Sequence, residues 1–82
     1  MDLKIEKHGP TVVMISLNNE SCLLSNETVV ELQNAETIGP FQNKLVIEIM
    51  KQNVEMAEAL KGLFKNPPVA FEIMDKIKAF TF

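Results

Sequence analysis

Near the start of the chain Leu3 and Ile5 alternate with Lys4 and Glu6, and beyond His8-Gly9-Pro10 the run 11–17 (TVVMISL) is rich in β-branched residues. Successive strand side chains point to opposite faces and branched Cβ atoms suit the pleat, so this pattern predicts two strands joined by a turn. Asn18-Asn19 closes the second strand with a residue type that tolerates left-handed backbone angles, and a tight reversal or a loop follows. Ser25-Asn26-Glu27 then precedes Val29, Val30 and Leu32. Ser25 or Asn26 can accept a hydrogen bond from the free amides of a first helical turn, which predicts a short helix over 26–35. The β-branched Thr28, Val29 and Val30 leave a third strand as the alternative.

In the second half the period changes from two to between three and four. Gly39-Pro40 reads as a helix entrance, because a proline in the first turn has no amide to waste. Val46, Ile49, Met50, Asn53, Met56, Ala57, Leu60, Leu63 and Phe64 fall on one stripe, which predicts a long helix over 40–65. Asn66-Pro67-Pro68 ends that helix and starts a terminal one over 68–80, with Val69, Ala70, Ile73, Met74, Ile77 and Phe80 as its stripe. Two helices joined by so short a link are expected to pack as a hairpin. The pattern as a whole predicts a single small α+β domain over 1–82: an N-terminal β-hairpin within a strand-rich region over 1–36, packed on a C-terminal helical hairpin, with a short helix or third strand between.

Length sharpens one point. A continuous helix over 40–65 is about 39 Å long, whereas a compact chain of 82 residues is roughly 30 Å across. Either Gly62 ends the helix early or some of the stripe is covered by something else. Leu45, Ile47 and Val54 are apolar as well, so the first half of this helix is greasy on nearly all sides, as buried helices are. In heptad terms Val46, Asn53 and Leu60 take one seam position and Ile49, Met56 and Leu63 the other, with Asn53 mid-seam, where a buried Asn can set register. The competing reading, and the favoured one, is an ordinary intramolecular core with Asn53 at its solvent edge.

Composition then narrows the function classes. All eight cations are lysines, set against eleven carboxylates, for a net charge of −3. Residues 1–41 carry two Lys and six acids, and residues 42–82 six Lys and five acids. Without arginine or interleaved aromatic and basic residues, nucleic-acid recognition is not expected. One cysteine, Cys22, and one histidine, His8, exclude an intrachain disulfide and leave too few ligands for a structural zinc site. No apolar run approaches the roughly 18 residues of a membrane span, and Met1 is followed by Asp2 rather than by a basic and then apolar stretch. The expected setting is the reducing cytoplasm, with no membrane partner.

Catalytic chemistry finds little purchase. His8 sits in a turn with no nucleophile beside it, Cys22 has no activating cation nearby in sequence, and the three glycines are too far apart for a phosphate loop. Glu58 and Lys61 read as a helix-spaced surface pair. The five methionines, Met1, Met14, Met50, Met56 and Met74, suit gap filling in a core better than an adaptable binding surface.

A family resemblance accompanies this reading. The segment Ile5-Glu6-Lys7-His8-Gly9, followed by Val12–Asn18 and Leu24-Ser25-Asn26-Glu27, resembles the opening segment of the enoyl-CoA hydratase/isomerase (crotonase) family. Asn66-Pro67-Pro68-Val69-Ala70 with Lys76 resembles a late helical junction of the same enzymes. Asn18-Asn19-Glu20 stands where that family has Asn-Arg-Pro, and the family's central region, with its oxyanion hole, acyl-CoA pocket and catalytic acids, has no counterpart. The resemblance implies a remnant or small relative that binds an acyl-CoA or docks on such an enzyme.

The function expected from the residues themselves is non-catalytic: a protein-interaction or self-association module, with no cofactor and no metal. Its partner is another protein or a second copy, met through Val46, Ile49, Met50, Asn53, Met56, Leu60, Leu63 and Phe64.

Overall fold

Residues 2–82 are described in the computed structural model of the protein; Met1 lies outside the described residues. The strands β1 (Leu3–Lys7), β2 (Val12–Leu17) and β3 (Glu20–Ser25) are followed by four helices, α1 (Asn26–Asn34), α2 (Ile38–Met50), α3 (Val54–Phe64) and α4 (Pro67–Ala79). The fold is α+β, with the strands in an antiparallel sheet of order β1-β2-β3. Period-two alternation sends Leu3, Val13, Ile15, Leu17, Cys22 and Leu24 to one buried face. Lys4, Glu6, Ser21 and Leu23 point the other way and are exposed.

The expected hairpin forms from β1 and β2, and β3 extends it into a three-stranded meander. Leu17 pairs with Glu20 across Asn18-Asn19, and Asn18 takes φ 57°, a left-handed angle that asparagine accommodates more readily than most side chains. The reversal at this point therefore returns the chain directly as β3. Cys22 and Leu24 are the only buried residues of that strand, too few for alternation to stand out in the sequence.

The segment after β3 is helical. Ser25 caps α1 by accepting a hydrogen bond from the Thr28 amide at 3.1 Å, and Val29 and Leu32 are buried beneath it. A satisfied cap and a buried apolar face outweigh the modest helix cost of three β-branched residues.

A single helix over 40–65 does not form; it is broken at residues 51–53 into α2 and α3. Asn53 has φ −152° and ψ 97°, outside the helical region, and its side chain accepts a hydrogen bond from the Met56 amide at 3.0 Å. Asn53 is thus the N-cap of α3 and not a seam residue, with Glu55 in the first turn where an acid favours the helix dipole. The molecule measures 33 × 27 × 20 Å, too short for the unbroken helix, and folding it in two lets both pieces lay apolar faces on one core. Gly62 lies inside α3 and does not end it. The Phe41 and Phe64 rings meet edge to face with centroids 6.3 Å apart, so the start of α2 lies beside the end of α3 and the two run back along each other. After Lys65-Asn66, α4 packs on α3 and also touches α1, α2 and β1.

Polar side chains tie the layers together by bonding to backbone. The Gln52 amide donates to the Leu23 carbonyl at 2.6 Å and accepts from the Leu23 amide at 3.0 Å, filling some of the open edge of β3 as a neighbouring strand would. At the other edge Lys76 Nζ donates to the Leu3 carbonyl at 3.1 Å. Gln33 of α1 donates to the Ile77 and Phe80 carbonyls, at 3.0 and 2.8 Å, satisfying acceptors left over at the end of α4.

Candidate functional site

The residues expected to form an interaction stripe divide into two sets. Ile49, Met56 and Leu60 have no exposed surface and belong to the core with Phe41, Leu45 and Ile73. Asn53 and Leu63 are half-buried, the first as a helix cap and the second packed against the core edge. Val46, Met50 and Phe64 do come together at an accessible place, where they line an open groove of about 460 Å³ between α2 and α3.

Helix geometry explains the groove. On α2 the residues Gln42, Asn43, Val46, Ile47 and Met50 recur at one-, three- and four-residue steps and form one face. On α3 and its C-terminal cap, Lys61, Phe64 and Lys65 do the same. Val46 and Phe64, each 7% exposed, form the floor; Ile47, 55% exposed, forms a wall. No sequence rule for a core stripe would have singled out Gln42, Asn43, Lys61 or Lys65. The available signal was the surplus of apolar positions beyond the stripe, at Leu45, Ile47 and Val54, of which only Ile47 lines the groove.

The electrostatics of the groove are one-sided. Its only charged lining residues are Lys61 and Lys65, one helical turn apart, and no acid lines it. Lys61 has Glu58 at 3.3 Å; among the described residues Lys65 makes no ion pair. The acid of α2, Glu48, is held on a different face by Lys51 at 3.2 Å and Lys44 at 3.6 Å. Lys44 also contacts Glu31 at 2.8 Å, and that hydrogen bond raises its pKa. The groove therefore presents one unpaired lysine, Lys65, and one shared with Glu58, Lys61, beside an apolar floor.

The other candidates have plain structural roles. His8 is exposed in the turn between β1 and β2. Cys22 is buried, its thiol 3.6 Å from the Met56 sulfur, and burial, with Glu20 nearby, raises its pKa, the reverse of what a nucleophilic thiol needs. Among the described residues no three of His, Cys, Asp and Glu are grouped to hold a metal ion, and no helix is long and apolar enough to cross a membrane.

Compared with known proteins, the chain matches no family model, no curated protein and no solved structure. What the groove does therefore rests on its own geometry.

Proposed function

We propose that the protein is a non-catalytic interaction module of the cytoplasm and that its contact surface is the α2–α3 groove. One observation carries this reading: exposed Ile47 and half-buried Met50 stand beside the nearly buried Val46 and Phe64 in a cleft, although the same two helices have buried their opposite faces. A cleft of this size accepts a few side chains from a partner, as grooves between helices do when they bind an amphipathic helix. A reducing compartment suits the single buried thiol.

The test is selection of binders from a displayed library of random helical peptides, followed by measurement of each enriched peptide against the wild-type protein and Ile47→Glu. Because Ile47 is 55% exposed, that variant is expected to keep its fold. Enriched peptides should lose binding to the variant; peptides that bind both proteins equally would remove the groove from the function.

A second reading draws on the same cleft. The crotonase resemblance, together with an apolar floor beside two lysines, suits an acyl-CoA, with its chain along Val46 and Phe64 and its phosphates near Lys61 and Lys65. Calorimetry against a panel of acyl-CoAs separates the two readings, and flat traces at millimolar ligand would leave only the peptide-binding one.

A further inference from the structure

Building on the reading of the groove as a protein-binding cleft, we infer that its occupant is an acidic amphipathic helix of a different protein, not a second copy of this chain. Size comes first. The α2 face from Gln42 to Met50 runs about 12 Å along the helix axis, and anchors at i, i+3 or i+4, and i+7 of a docking helix span about 10.5 Å. The cleft is thus long enough for a row of three apolar side chains one turn apart.

Charge selects what flanks that row. Lys61 and Lys65 stand on consecutive turns at the groove, which no carboxylate lines; Lys61 is shared with Glu58 at 3.3 Å, and among the described residues Lys65 makes no ion pair. A partner helix with Glu or Asp beside its apolar anchors would meet them, whereas one carrying Lys or Arg would be repelled.

The exposed surface of the chain argues against self-occupancy. Outside the hairpin, its helices expose a single large apolar residue each, Val30 on α1 and Phe71 on α4. Neither supplies the second and third anchors that a groove-filling helix needs. Packing groove on groove about a two-fold axis places the same patch on both sides, so each copy brings the same two lysines and no lining carboxylate to meet them.

The probe is a fluorescein-labelled helical peptide of about four turns, with Leu at the i, i+4 and i+7 positions and Glu beside them. Its counterpart carries Lys in place of each Glu. Anisotropy at low salt should show the Glu peptide binding about fivefold tighter or more than the Lys peptide, since each exposed ion pair contributes modestly, Lys65 is unpaired among the described residues, and the Lys peptide is repelled where the Glu peptide is attracted. The double variant Lys61→Glu/Lys65→Glu, checked for an unchanged melting curve, should reverse that order.

If both peptides bind alike, or the double variant keeps the wild-type order, the inference fails; loss of both peptides on Ile47→Glu would still uphold the groove as an interaction site. If neither peptide responds to Ile47→Glu, the inference and the underlying reading fall together. Sedimentation supplies the remaining arm: a monomer at micromolar concentration supports a foreign partner, and a dimer dispersed by Ile47→Glu overturns that partner in favour of a second copy.

Discussion

The inner and outer faces of the α2–α3 hairpin are made of similar residues with opposite fates. Leu45, Ile49, Met56 and Leu60 on the inner face are fully buried, whereas Ile47 on the outer face of α2 is 55% exposed and Val54 at the start of α3 is 59% exposed. An apolar side chain thus says little about its own burial here; its angular position on the helix decides. The three-stranded sheet with α1 and α4 is large enough to cover one face of the hairpin but not both. The uncovered remainder includes the groove at Ile47, while Val54 lies outside it.

The largest effects should fall on the inner face. Leu60→Ala removes a fully buried side chain from the centre of the core and is expected to cost about 2–5 kcal/mol by urea unfolding, since a cavity is left as well as lost burial. Ile47→Ala is expected to change stability by less than about 0.5 kcal/mol, because its side chain has little buried surface to lose. A chain of this size has a small reserve of stability, so the first variant should approach complete unfolding at ambient temperature. Comparable costs for the two variants would mean that the outer face is covered in solution, and the distinction between the faces would collapse.

The junction between α2 and α3 shows where the sequence was legible and where it was not. Strand periodicity at β1 and β2, the capping serine of α1 and the proline start of α4 are local signals, and each places its element correctly. The break at residues 51–53 depends on competition: good helix formers favour continuation, and the gain from laying both halves on one core favours a turn. Asn53 carries the deciding cap, yet in a periodic run an Asn at that spacing reads equally well as a seam residue. The same ambiguity hid the groove, because a stripe is visible in sequence while the width of its covering layers is not. β3 escaped for a different reason: Glu20, Ser21 and Ser25 dilute its alternation, and only pairing with β2 and the Gln52 clamp on its edge reveal it.

Asn53→Ala tests that competition at an intermediate scale. Loss of the hydrogen bond from the Met56 amide should destabilise the protein by about 1 kcal/mol, the usual cost of removing an N-cap, as read by the urea midpoint. Asn53→Asp or Asn53→Ser should restore most of it. If alanine is neutral, the turn is held by packing of the two faces alone, and the cap is incidental.

The smallest effect concerns the third, charged face of α2. Hydrogen bonding from Lys51, joined by the charge of Lys44, holds the Glu48 carboxyl below its ordinary value of 4.5, against the opposing pull of partial burial. A carboxyl with a depressed folded pKa stabilises the folded state above its unfolded pKa, and that contribution is lost as the pH falls through the folded value. Glu48→Gln is therefore expected to lower stability by a few tenths of a kcal/mol, at most about 1, near neutral pH, and by nothing measurable in acid below both values. A cost that persisted in acid would assign the role of Glu48 to its packed methylenes. Because this carboxylate engages Lys44 and Lys51 away from the groove, the same variant should leave the preference for an acidic peptide unchanged. A shift in that preference would show that the lysines of the charged face also reach the bound helix, and the two faces of α2 would then act as one surface.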